Sequence, residues 1–353
     1  MNKSVFLLLC LFSIQGVLFG QNWHPEAKGE VVHHQHFSLS YINDHEQAEW
    51  VAYELTSEEL KGEVGRTNNY REDPTVMVGS ALLSDYKRSG FDRGHLMPAG
   101  DAKFDYNAMS ETFYLSNMSP QRNAFNGGIW NSLENRMRVW AGKKESLRIV
   151  TGPVLTYTEG KIGASGVSIP SFFYKIALHI SDTDTSAIAF LLPHQGSNQP
   201  LRDFVVSIDS VERITGIDFY PYLPDDIEDK IEKEVHLEGF FPTKKKTKAS
   251  NTIPQITAEE AEAYIDEKVL VCGTIVATKY LPESKKQITY LNFSRPFPQT
   301  PFTAVIYGEN RTKFPENPEV LYLDQEVCIQ GRVVAYKGRP QMVVHHPAQV
   351  KKR

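Results

Sequence analysis

His95 closes the run Phe91-Asp92-Arg93-Gly94-His95, flanked by glycine and set beside an arginine and an aspartate. An imidazole titrates near neutrality, so it takes a proton from water more readily than a carboxylate at its usual pKa. A guanidinium meets phosphate oxygens in a planar fork. Together these groups suit cleavage of a phosphodiester, although a tetrapeptide alone more often holds a satisfied structural histidine. The segments Phe113-Tyr-Leu-Ser-Asn117-Met-Ser-Pro-Gln121 and Asn126-Gly-Gly-Ile-Trp130-Asn-Ser-Leu-Glu134 follow before residue 135 and make the joint pattern much rarer.

The elements that would position these groups can be read from spacing. Ile129, Trp130, Leu133, Met137 and Trp140 trace one apolar helical face, while Asn131, Glu134 and Arg138 form a polar stripe. One face packs and the other is free for chemistry, so both tryptophans are expected in the core. Gly127 and Gly128 stand just before this helix and leave Asn126 at its mouth, where an amide oxygen, a hard ligand, is free to face a cation. Taken alone, Glu134 and Arg138 would be an ordinary surface pair, and Asn117 and Asn126 turn or cap residues.

Taken together, the motifs resemble the DNA/RNA non-specific endonuclease family, the ββα-metal nucleases that include endonuclease G. The resemblance runs from about Trp50 to Ile231, with further matches at Val150-Thr-Gly-Pro153 and Ile169-Pro-Ser-Phe-Phe-Tyr-Lys175. It implies His95 as general base, oriented by a neighbour for which Asn117 is the candidate. It implies Asn126 as the single direct ligand of Mg²⁺, with Mn²⁺ as a substitute, and Glu134 as the holder of metal-bound waters. Arg93 and Arg138 would neutralise phosphate. Arg66 is preferred over Arg71 for a third such role, although the match needs a small shift and leaves both open. DNA and RNA are the implied substrates, cut at internal phosphodiester bonds to leave 5′-phosphates, with little base readout because phosphate contacts carry little sequence information.

The rest of the chain frames this centre. Its 353 residues, 41% hydrophobic and 23% charged, suit two domains with real cores. A net charge of -5 excludes a uniformly basic coat, so a polyanion must meet a local patch. Residues 1–20, with Lys3 ahead of an apolar run from Val5 to Leu18, read as a secretory signal peptide cleaved after Gly20. That reading predicts a secreted or periplasmic protein with no stable membrane association. Cys272 and Cys328 form either a disulfide or two buried thiols.

Short strands mixed with helices predict an α+β domain over residues 25–235, with Leu147–Gly152 and Ala187–Leu192 among its strands. Residues 236–256, polar and carrying Lys244-Lys-Lys-Thr-Lys248, read as a linker. From 257 to 353 a short helix at Ala258–Tyr264 precedes five strands: Val269–Thr278, Gln287–Phe293, Phe302–Tyr307, Glu326–Tyr336 and Gln341–Val344. Lys337-Gly-Arg-Pro340 closes the last pair. This all-β portion resembles an OB-fold barrel, which could bind single strands through Tyr290, Phe293, Tyr307 and Lys313 or act as a spacer. His33, His34 and His36 lack further ligands at zinc spacing and read as part of a strand, and His345 and His346 are read likewise. The expected architecture is thus a ββα-metal nuclease domain followed by a small OB-like barrel. The rival functions are a non-catalytic nucleic-acid binder and a secreted nuclease toxin.

Overall fold

The computed structural model describes residues 23–181, 184–241, 253–336 and 339–353. The expected signal peptide, the lysine run at 244–248 and the turn at Lys337-Gly338 lie outside these residues.

The α+β character expected from the sequence is observed. Seven strands form a central sheet in the order β1 (Glu30–His33), β2 (Ser38–Ile42), β3 (Gln47–Thr56), β6 (Ser146–Pro153), β9 (Phe172–Ile180), β10 (Thr185–Pro193) and β11 (Val205–Val206). All its pairings are antiparallel. Both faces are covered, so β3 and β9 are buried over nearly their whole length. On β3, Val51, Tyr53 and Leu55 enter one core, while Trp50 and Ala52 enter a second core on the other face, as a period of two requires.

The first core lies under helix α1 (Asn131–Lys144), which buries Leu133, Met137 and Trp140, with Trp130 just ahead of it. Each large apolar side chain so buried contributes about 1.5–3 kcal/mol. The second core lies under α2 (Ile208–Thr215) and α3 (Asp225–Glu232). Against one face of this framework stands a two-stranded ribbon, β4 (Asp92–His95) with β5 (Met118–Gln121), and a hairpin of β7 (Thr158–Ile162) with β8 (Val167–Pro170). The helix expected from Ile129 starts two residues later. Phe125–Trp130 is wound more widely, and Gly128 leaves helical conformation at φ -103°, ψ -112°.

A separate core belongs to the carboxy-terminal strands. Their order is β17 (Val334–Tyr336), β18 (Arg339–Val343), β15 (Thr303–Ile306), β14 (Ile288–Phe293), β13 (Lys268–Leu281), β16 (Glu326–Arg332) and β19 (Val350–Lys352), with β12 (Gln255–Thr257) also on β13. Only Val333 separates β16 from β17 in the chain, although the two stand near opposite ends of this order, so the sheet curls round on itself. Cys272 and Cys328 face each other across β13 and β16 and form a disulfide. Phe293, expected among exposed aromatics, is fully buried against Phe302, because its place on β14 turns it into the barrel. Lys313 is occupied by Asn310 Oδ1 (2.6 Å) and the His345 carbonyl (3.2 Å). Of the expected set Tyr290 lines an outer groove of about 500 Å³, together with Lys279, Phe297, Tyr336 and Arg339.

One further expectation changes. Phe240 and Phe241 were placed in the linker, yet both are buried against Trp140, because two consecutive phenylalanines find apolar cover beside the long helix. The outer side of α1 also meets the barrel: Arg136, 2% exposed, donates from Nη2 to Asp266 Oδ2 at 3.5 Å, and Lys143 pairs with Glu262. Among the described residues no helix is long and apolar enough to cross a membrane.

Candidate active site

His95 ends β4 at the floor of a cleft of about 700 Å³. Its ring lies edge-on to Phe113 at 4.9 Å and near Tyr70 at 5.9 Å, and the residue is 8% exposed. Nε2 is buried without a hydrogen-bond partner. Burial first, then the guanidinium groups of Arg66 and Arg93, lower its pKa to about 3, so the imidazole is neutral near pH 7, with its proton affinity reduced by the same surroundings. Gly94 is required here, because a Cβ would stand 2.1 Å from Cδ of Gln121, which is fully buried across the ribbon.

Asn117 does not orient this ring. Its Oδ1 accepts from Met97 N (2.9 Å), and its Nδ2 donates to the carbonyls of Met97 (3.0 Å) and Thr112 (2.8 Å). It pins the turn that leaves His95, a role through the backbone, because the amide is used up before it reaches the imidazole.

Asn126 donates from Nδ2 to Asp92 Oδ2 at 3.0 Å. A carboxylate can only accept, so the amide's nitrogen must face Asp92 and its oxygen must face away. Among the described residues that oxygen accepts no hydrogen bond, and Asn126 lines the cleft. Asp92 also accepts from Asn123 Nδ2 at 3.1 Å, which fixes the carboxylate from a second side.

Glu134 and Arg138, one turn apart on α1, line the same cleft. Arg138 is anchored by Asp101 and by Asn135 Oδ1 (3.1 Å), and Asp101 also accepts from Tyr53 Oη at 2.9 Å. Lys175, fully buried on β9, stands over the Trp130 ring at 4.8 Å, with Nζ 3.4 Å from the Leu96 carbonyl. Burial raises the Glu134 pKa against the opposing pull of Arg138 and Lys175, and burial lowers that of Lys175 against Glu134 and Asp101. Among the described residues the Glu134 carboxylate accepts no hydrogen bond. Arg66 lines the cleft, held by Asn68 Oδ1 (2.8 Å) and Tyr70 Oη (3.2 Å), and Arg93 lies over the Tyr70 ring at 4.3 Å. Arg71 is spent on the carbonyls of Asn69 and Ser110 and is not part of the cleft lining.

The cleft therefore gathers His95, Arg66, Arg93, Asn126, Glu134 and Arg138 and leaves Asn117 behind its wall. One free amide oxygen and one unbonded carboxylate are hard donors, too few for an all-protein cage and well matched to a cation that keeps most of its waters. Sequence reasoning missed Asp92 as the group that turns Asn126, and missed Lys175 and Asp101 entirely. The signal for Lys175 was present: it shares the inward side of β9 with Phe173 and Ala177, and a lysine at such a position needs a partner. Of the amino-terminal histidines only His33 lies in the expected strand, its ring bonded to Ser38 Oγ (2.8 Å), while His34, bonded to Asp73 Oδ2 (2.9 Å), and His36 stand in the turn after β1.

A family model described as DNA/RNA non-specific endonuclease matches residues 20–226. Nuclease EXOG, mitochondrial, of Danio rerio is 37% identical over 216 residues, covering 56% of this chain and 63% of that protein. Nuclease C1 of Cunninghamella echinulata var. echinulata is 35% identical over 216 residues, covering 56% of this chain and 86% of that protein. A crystal structure of the EndoG/EndoGI complex, titled for the mechanism of EndoG inhibition, aligns with TM-score 0.53 and 32% identity over 56% of this chain and 87% of that chain. The chain thus spans less than two thirds of the Danio rerio protein's length.

The secreted or periplasmic location expected from residues 1–20 is corrected by these relatives, several of which are named as mitochondrial. A basic start followed by an apolar run does not by itself specify a destination. With more than half of its length matched, the chain belongs to the DNA/RNA non-specific endonuclease family.

Proposed function

We propose that the chain hydrolyses internal phosphodiester bonds of DNA and RNA in this cleft, on a ββα-metal unit formed by the β4–β5 ribbon and α1. The observation that carries this reading is the convergence of His95, Asn126 and Glu134 with Arg66, Arg93 and Arg138 on one cleft. His95 takes the proton of the attacking water. Arg66, Arg93 and Arg138 meet the phosphate oxygens, and the Asp101 carboxylate fixes the Arg138 fork. Asn126 Oδ1 would hold a Mg²⁺ ion directly and Glu134 would hold it through water, with Mn²⁺ as a substitute. Such an ion supplies positive charge for the phosphate and for the departing oxygen. Asp92 keeps the Asn126 oxygen turned away from itself, and Asn117 holds the turn beyond the base.

Supercoiled plasmid and single-stranded RNA, incubated with Mg²⁺ or with EDTA, test this directly. Both are expected to be degraded in Mg²⁺ and to survive in EDTA, and Asn126→Ala is expected to lower the rate by about 10² or more. Full activity in EDTA would exclude the metal assignment.

The second unit, from residue 257, reads best as an OB-type barrel that holds single strands. Its outer groove supports this: Phe297 and Tyr336 are 67% and 56% exposed, Arg339 lies over the Phe297 ring at 4.9 Å, and Lys279 lines the same groove. Exposed rings beside cations are what unstacked bases need. In a His95→Ala background, which removes cleavage, Tyr336→Ala is expected to weaken binding of a fluorescent oligothymidylate by about tenfold, from about 1–3 kcal/mol per stacked base. Unchanged anisotropy titrations would leave the barrel as a spacer.

A further inference from the structure

The described residues contain one group of three metal-type ligands, and it lies far from the cleft's lining, on the side of the central sheet covered by α2 and α3. Asp209 and Glu212 stand one turn apart on α2, and Glu232 is the last residue of α3. A ligand oxygen from each lies within 4.8 Å of the other two. Asp209 and Glu212 are partly open to solvent, whereas Glu232 is 6% exposed and its Oε1 is buried with no hydrogen-bond partner.

Among the described residues none of the three forms an ion pair, and the neighbouring Lys233 turns its Nζ to Asp229 Oδ2 at 2.7 Å. Glu212 places Oε1 on the Phe219 amide at 3.0 Å, which fixes its carboxylate. A second unpartnered group sits beneath: the Tyr220 hydroxyl is fully buried without a hydrogen bond, within the electrostatic reach of Glu232 and Glu212. A buried carboxylate is costly unless it is protonated, paired or bound to a metal.

We propose that Asp209, Glu212 and Glu232 form a Ca²⁺ site that clamps α2 to α3. The donors are all oxygen, which excludes the nitrogen and sulfur preference of zinc. Three converging carboxylates favour the larger cation, since Mg²⁺ keeps most of its waters and demands a stricter octahedron. The clamped helices cover the second core, with Ile208, Val211 and Ile231 directly below the carboxylates' own turns.

The test uses the full chain carrying Asn126→Ala, so that the cleft contributes no direct ligand, and Tb³⁺ as a luminescent stand-in for Ca²⁺. Tyrosine excitation is expected to give Tb³⁺ emission that Ca²⁺ displaces well before Mg²⁺ does. Asp209→Asn, at a partly exposed position that tolerates the change, is expected to weaken Tb³⁺ affinity at least about tenfold, and Glu232→Gln to abolish the emission. Calorimetric titration with CaCl₂ gives the same ranking without the probe. Absence of Ca²⁺ binding, or equal affinity in wild type and Asp209→Asn, would mean that Glu232 simply keeps a proton, and would overturn the site.

Discussion

Replacing His95 by alanine is expected to slow plasmid and RNA cleavage in Mg²⁺ by about 10²–10⁴ while the chain stays folded. The ring makes no hydrogen bond from Nε2, so its removal costs packing against Phe113 and Tyr70 but breaks no polar network there. Turnover at the wild-type rate would remove His95 from the chemistry. The same substitution has a signature in stability. Folded His95 is held down at about 3, whereas the unfolded ring titrates near its usual value. Between those two values the unfolded chain carries a proton that the folded chain refuses. The folded state therefore loses stability as pH falls through about 6.5 toward 3, and the penalty is absent above that range. For this one group the loss from pH 7 to 4.5 is roughly 2–3 kcal/mol. Urea denaturation at both pH values should show a shallower dependence in His95→Ala, and an identical dependence would mean that the ring charges freely in the folded protein.

Lys175→Met is expected to cost about 3–5 kcal/mol, the range seen when one partner of a buried charge group is removed. Its ammonium is the fully buried cation beside Glu134 and Asp101, and methionine keeps much of the volume while leaving those carboxylates short of positive charge. Adding Glu134→Gln should restore part of the loss, because the second change removes a charge that the first left unanswered. Denaturation midpoints of the two single variants and the double variant close the cycle. Strict additivity would show that Lys175 and Glu134 do not interact. Since Lys175 also reaches the Leu96 carbonyl next to the base, the single variant is expected to lose cleavage as well.

The residues gathered in the cleft were legible because most lie in two short segments, around 91–95 and 126–138, where residue type and spacing already carry the pattern. Helix periodicity placed Trp130, Met137 and Trp140 inside and Glu134 and Arg138 on the working side, as observed. What stayed hidden depends on direction across space. Asn117 stands at the right distance along the chain to steady His95, but only the fold shows its amide consumed by Met97 and Thr112. Asp92 was read as a neighbour of the histidine, while its partner is Asn126, brought to it when the chain returns from the ribbon to α1. The barrel strands were clear from their β-branched runs, whereas the return of β16–β17 to close the sheet, and the inward turn of Phe293, follow from register that no single strand contains. Phe240 and Phe241 were masked by the polar residues after them, and composition averaged over a window hid two core side chains.

One helix stands between the cleft and the barrel. Glu134 and Arg138 face the substrate side, and Arg136, between them in sequence, is buried on the far side against Asp266. Every exchange on this helix is therefore judged twice, by a reaction and by a neighbour that takes no part in it. A chimera that kept this catalytic half and borrowed another carboxy-terminal half would strand a guanidinium in an apolar seam unless the newcomer brought an acid to the place of Asp266. The two halves are thus free to diverge elsewhere but must change in step along this one seam.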